Sequence, residues 1–270
     1  MMQEMHLRNY SERTVKTYIS LICKVVEFYD NLSPDKLSIQ QIKDYLSHRL
    51  SKDNISVSTI NQTISAFKIL FVDVLKRNWE NFEIKRPRRE VKLPVVLSKQ
   101  EIKKIIDVTH NLKHRTIISL GYSSGARLSE VCNLKISDID SDRMQIRIKN
   151  GKGKKDRYTT LSKNALIDAR EYFKRYKPVD YLFYGKNKNK AISNGAVQKT
   201  FKKNVKKAGI IKDVHFHTLR HSFATHLLEQ NVNIKVIQML LGHSSIRTTM
   251  LYTHLVNFKI SSIINPFDNL

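Results

Sequence analysis

Between Trp79 and Leu97 the helical pattern of the chain breaks into ENFEIKRPRREVKLPVV, a run with two prolines and five basic residues. Such a stretch reads as an interdomain linker, so the chain must fold as two separately packed units that meet near residue 90. The first 80 residues are helical in pattern. SERTVKTYISLICKVVEFYD opens on a serine cap and keeps Val15, Ile19, Ile22, Val26 and Tyr29 on one stripe. SIQQIKDYLSHRL starts with a second cap, and VSTINQTISAFKILFVDVLKRN carries Ile60, Ile64, Phe67, Leu70, Phe71 and Val74 in the same manner.

The second unit opens at LSKQEIKKIIDVT, where Ser98 with Glu101 forms a capping-box pattern. Its core is mixed. After the helical HRTIISLGYSSGARLSEVCNL, the segment MQIRIK alternates Met144, Ile146 and Ile148 with polar residues, and Asn150-Gly151 supplies a hairpin turn before RYTTL. Five further helical segments follow, from NALIDAREYFKRY to SSIRTTMLYTHL. The expected fold class is α+β, mostly helical, with a small antiparallel sheet. The expected units are a helical domain over 1–84, a basic linker over 85–95, a second domain over 96–256 and a tail over 257–270.

Charge narrows the partner. The 270 residues hold 48 Lys and Arg against 24 Asp and Glu, a formal charge of +24, which is more than solubility requires. The cations cluster in KRPRREVK, KNGKGKK, GKNKNK and KTFKKNVKK, as phosphate contacts would demand, and a polyanion is the inferred partner. No apolar run is long enough to span a membrane, and MMQEMHLRNY has no signal-peptide core, so a cytoplasmic protein is expected. Cys23 and Cys132 lack metal-ligand spacing and are expected to be reduced core residues.

Clustered cations and nucleophiles occur at five places: Arg127 in SSGARLSEVCNL, Lys152 at the hairpin tip, His217, Arg220 and His221 in HTLRH, His243 in LLGHSS, and Tyr252 in TTMLYTH. On a helix, 217, 220 and 221 share one face, whereas about 100° per residue puts His226 roughly opposite. The histidines at 217 and 221 have the spacing of zinc ligands, but a zincin would want Glu at 218, where this chain has Thr, and Arg220 between them would oppose a dication. No metal or other cofactor is expected.

Taken together, the GAR..E box, GKGKKDR, HTLRHSFATHLL, LLGHSSIRTT and YTH resemble the tyrosine recombinases of the phage integrase and Xer type, over about residues 93–256. The helical unit resembles, more loosely, their SAM-like core-binding domain. The resemblance implies a site-specific recombinase that cuts and rejoins double-stranded DNA through a 3′-phosphotyrosyl intermediate. Tyr252 would be the nucleophile, Lys152 would protonate the departing 5′ oxygen, Arg127, Arg220 and His243 would hold the phosphate, and His217 would act as acid-base helper. Glu130 would orient or screen Arg127, with a solvated helix charge as the equal alternative, and His221 would either orient the site or simply pack.

The chemistry suits these residue types. Attack on a phosphodiester builds extra negative charge that fixed cations must meet, and arginine forks are always charged and well shaped for phosphate. No GxxxxGK[ST] phosphate loop occurs, as expected of a reaction that conserves bond energy without ATP. Arg86, Arg88, Arg89 and Lys92 of the linker and Lys154, Lys155 and Arg157 of the hairpin are the expected DNA contacts. The resemblance also implies that the two units clamp duplex DNA and that the apolar tail (Ile260, Ile263, Ile264, Phe267) docks on a neighbour in a homotetramer, in some members with a second recombinase. A type IB topoisomerase would use the same tyrosine chemistry, and a DNA-binding protein without catalysis is the non-enzyme alternative. The paired small domains, the tail and the filled catalytic positions argue for recombination.

Overall fold

A computed structural model describes residues 1–79, 84–88, 93–149 and 156–256. The chain separates into two compact units, residues 1–91 and 92–270.

In the first unit, serine caps set the helix starts. Ser11 accepts from the Thr14 N–H at the head of α2 (Glu12–Phe28), which follows the short α1 (Met2–Leu7). Ser38 and Gln41 close a reciprocal capping box on α3 (Ile39–Ser51), and Ser56 caps α4 (Val57–Lys68). The apolar stripes of these helices meet in a core built on Val25, Ile42, Ile64, Phe67 and Phe71. The last segment departs from the expected continuous helix: Ile69–Val74 is a π-helical turn, ended by a Leu75 N–H donating to the Leu70 carbonyl at 2.9 Å. Ile69, Leu70 and Phe71, three successive residues of this wider turn, are all buried.

The second unit begins with the capping box of Ser98 and Glu101 on α5 (Lys99–Asp107). Helix α6 (Leu112–Ser124) runs through the core and stops at Gly125, whose φ of 60° is left-handed. After α7 (Leu128–Cys132) comes an antiparallel sheet of order β1-β2-β3, formed by Ile139–Asp140, Gln145–Ile148 and Arg157–Thr160. The expected hairpin is therefore one strand short: β1 joins it, pairing Ile139 with Ile146. Two residues are too few to show a period in sequence. Ile146 and Ile148 point into the core, and Ile148 pairs with Arg157 at the end of the ladder nearest the hairpin tip. The tip, 150–155, lies outside the described residues, as do 80–83, 89–92 and the tail 257–270.

Helices α8 (Lys163–Tyr176), α9 (Asn194–Lys207), α10 (Phe216–Glu229), α11 (Ile234–Leu241) and α12 (Ile246–Met250) follow, and the chain then tightens into a 3-10 turn over Leu251–Leu255. The main core of this unit includes Leu97, Ile105, Ile117, Phe183, Phe201 and Leu219, and a smaller cluster of Phe223, Ala224, Leu228, Ile237 and Leu241 encloses Tyr252. Cys132 is buried as expected, but Cys23 is exposed on α2. Among the described residues, no helix is long and apolar enough to cross a membrane.

Candidate active site

Helix α10 buries Phe216, Leu219 and Phe223, and the same period that seats them aligns His217, Arg220 and His221. Arg220 is completely buried. Its Nη1 donates to the Gly125 carbonyl at 2.9 Å and its Nη2 to the Leu241 carbonyl at 2.6 Å. Those carbonyls stand at the C-terminal ends of α6 and α11, where the aligned peptide dipoles leave partial negative charge. One guanidinium thus caps two helices, which offsets its desolvation. Burial, with the charge of Arg127 added, lowers its pKa to about 10, so it stays cationic at neutral pH. Among the described residues its Nε–H has no partner. Gly125 is required here twice over, by its φ and because a Cβ would run into Phe223 and Leu241.

A second wall is built on carboxylate. Arg127 is the residue before α7, and its N–H and Nη1 both donate to the Glu130 carboxylate, each at 2.7 Å. Arg157, from the first position of β3, grips the same carboxylate in a fork at 2.9 and 2.8 Å and donates Nε–H to the Leu240 carbonyl at 2.9 Å. Burial alone would raise the Glu130 pKa, but the Arg157 hydrogen bonds and charge, joined by Arg127, bring it down to about 2. Glu130 is therefore not a solvated helix charge: its side chain is 8% exposed, against 23% for Arg127. Arg157 departs from its expected place among the DNA contacts. It is turned inward, all three guanidinium nitrogens are engaged, and its side chain is 8% exposed. Gly242, left-handed at φ 64°, makes room for it, since a Cβ there would lie 2.6 Å from the Arg157 Cδ.

Tyr252 lies between these walls, on the 3-10 turn, 2% exposed. Its hydroxyl is 3.0 Å from His221 Nδ1. Burial pushes its pKa up, and the charges of Arg220 and Arg127 pull against that shift, so both cations reach the phenol and it is neutral at rest. The His243 ring lies nearly parallel to the Tyr252 ring, at 13° and 6.4 Å between centroids, and its Nδ1 is 2.9 Å from the hydroxyl of the fully buried Thr249. His217 packs edge-on against His221 at 4.7 Å. All three histidines are held neutral: burial, then the neighbouring positive charges, lowers His217 and His221 to about 4 and His243 to about 3. His226 is apart, as its helical position requires, bonded through Nδ1 to the Tyr122 hydroxyl at 2.9 Å.

The fold brings Arg127, Glu130, His217, Arg220, His221, His243 and Tyr252 into one site. Lys152, Lys154, Lys155, Arg89 and Lys92 lie outside the described residues. Arg88 is exposed, whereas Arg86 bonds back to the Ser65 hydroxyl on α4 at 3.0 Å. Arg157 and Thr249 were missed as supports of the site: each acts through a tertiary contact, although a basic residue opening the returning strand of the hairpin is visible in sequence. No group of three or more His, Cys, Asp or Glu among the described residues could hold a metal ion.

A buried phenol set among fixed cations is the arrangement expected of enzymes that transfer phosphodiesters through tyrosine. The phage integrase family profile matches residues 95–257, and the profile for the N-terminal SAM-like domain of phage integrases matches residues 1–81. The chain belongs to the phage integrase family and is a tyrosine recombinase, an enzyme of site-specific DNA recombination. It is similar to tyrosine recombinase XerA of Pyrococcus horikoshii, with 36% identity over 92% of this chain and 85% of that protein. The fold is that of XerH site-specific recombinase bound to its difH substrate after cleavage (TM-score 0.75, 24% identity, covering 92% of this chain and 78% of that one). It is also that of a lambda integrase tetramer on a Holliday junction (TM-score 0.72, 18% identity, covering 93% of this chain and 74% of that one).

Proposed function

We propose that this protein cleaves and rejoins duplex DNA with its own Tyr252, held in the site by the chain that carries the cations. The observation that carries the reading is the Tyr252 hydroxyl, 3.0 Å from a neutral histidine and within the fields of Arg127 and Arg220. In this reading Arg127 and Arg220 meet the non-bridging oxygens of the scissile phosphate. Arg220 has given one N–H of each terminal nitrogen to backbone and offers the remainder, so its fork is aimed before DNA arrives. His243, with Nδ1 at Thr249, presents Nε2 as a further donor when the Thr249 hydroxyl donates to Nδ1. Lys152 on the hairpin supplies the proton to the 5′ oxygen. The exchange of strands calls for a homotetramer on two duplexes, with residues 257–270 docking between protomers, and for action on DNA in the cytoplasm. Lys154, Lys155 and the linker cations Arg86, Arg88, Arg89 and Lys92 contact phosphates on either side of the site.

The test uses DNA that flanks the gene, incubated with wild-type protein and with Tyr252→Phe. SDS-resistant adducts from wild type alone are expected, and their DNA ends give the cleavage site. Tight binding without adducts on any flanking or genomic fragment, or adducts from the Phe protein, would refute it.

A further inference from the structure

We propose that His221 is the group that takes the proton from Tyr252 as its oxygen attacks the phosphate, an inference that rests on Tyr252 being the nucleophile. His221 Nδ1 is 3.0 Å from the phenolic oxygen, and the two rings are 5.7 Å apart with a tilt of 50°, a geometry in which the imidazole nitrogen meets the hydroxyl. Among the described residues His217, the other histidine of this helix face, makes its ring contact with His221 and none with Tyr252. His221 adjoins Arg220 in sequence, and Arg220 is fixed by two backbone carbonyls. The histidine backbone therefore adjoins a residue anchored at two points.

The chemistry closes on these atoms. In the resting state the phenol donates to Nδ1, and Nε2 carries the imidazole proton. As the Tyr252 oxygen bonds to phosphorus, its O–H bond breaks and the proton passes to Nδ1. The bond from phosphorus to the 5′ oxygen breaks with its electron pair on that oxygen, which takes a proton from a separate donor, the role assigned above to Lys152. Burial and the Arg220 charge disfavour an imidazolium at rest, whereas the negative charge gathering on the phosphate compensates it during attack. Rejoining reverses each transfer, and His221 returns the proton to the tyrosine.

Two measurements test this. The first needs no DNA: long-range proton-nitrogen spectra of the wild-type protein should show His221 with Nδ1 unprotonated and accepting, and Tyr252→Phe should move that nitrogen. A proton on Nδ1 would overturn the proposal. The second uses a nicked duplex built on the cleavage site recovered from the adducts. His221→Asn should slow cleavage by about 100-fold with DNA affinity unchanged, within the range for loss of a general base. Placing 2,6-difluorotyrosine at 252, a stronger acid, should recover about tenfold of that loss but nothing in Arg127→Lys. Cleavage by His221→Asn at the wild-type rate, or equal recovery in both variants, would overturn the role. Adducts made by Tyr252→Phe would instead overturn the assignment of the nucleophile itself.

Discussion

The two arginines of the site are held in opposite ways. Arg220 is wholly buried and bound to neutral backbone at two helix ends, whereas Arg127 is partly exposed and bound to a carboxylate that a third arginine also grips. Backbone anchoring makes Arg220 part of the core: its removal disturbs three helices. Carboxylate anchoring lets Arg127 keep open donors toward solvent, with Glu130 and Arg157 as a platform beneath it. One site therefore combines a cation that the fold depends on with one that it merely aims.

The comparison is broken most sharply by deleting each arginine. Arg220→Ala should abolish detectable cleavage and also destabilise the fold by about 3 kcal/mol or more, because two buried carbonyls lose their donor and a cavity opens. Arg127→Ala should slow cleavage by about 100-fold or more yet change stability by less than about 1 kcal/mol, since Glu130 keeps its Arg157 fork. Denaturant unfolding beside single-turnover cleavage separates the two effects. Equal stability losses would erase the distinction.

Arg157→Ala acts from below. It leaves Glu130 buried with Arg127 alone and should destabilise by about 3 kcal/mol at pH 7. Glu130 is depressed in the folded state, so its contribution is present above about pH 4.5 and is lost as pH falls toward 2. The stability gap between variant and wild type should therefore narrow on acidification, as thermal melts at stepped pH would show.

The histidines set a smaller, separate dependence. Their folded pKa values of about 3 to 4 lie below the ordinary 6.5, so the unfolded chain binds protons first as pH falls. Stability should be constant above about pH 7 and decline from 6.5 toward 4, by at most about 1.4 kcal/mol per pH unit for each histidine. His217→Gln should flatten that slope; an unchanged slope would remove His217 from the explanation. The smallest effect is expected outside the catalytic unit: neutralising Arg86 and Arg88 should leave stability within about 0.5 kcal/mol and lower the salt slope of DNA binding by about one per lost phosphate contact.

Much of this was legible before the fold. Serine caps at Ser11, Ser38 and Ser98 announced helix starts because capping is local, and the Ile146 and Ile148 alternation announced the hairpin for the same reason. The cluster at 217, 220 and 221 follows from helical period alone. What sequence did not reveal depends on distant partners. Arg157 looked like another hairpin cation because Glu130 and Leu240, which turn it inward, lie 27 and 83 residues away. His221 was ambiguous between packing and chemistry because its partner is 31 residues downstream. The π turn at Ile69–Val74 and the two-residue β1 are set by packing and pairing, not by any local signal.

The most direct test of the central claim is to digest the protein-DNA adducts with protease and nuclease and sequence the peptides by mass spectrometry. A nucleotide remnant on the peptide containing Tyr252, attached through the phenolic oxygen, is the expected result. A remnant on any other residue would contradict the account.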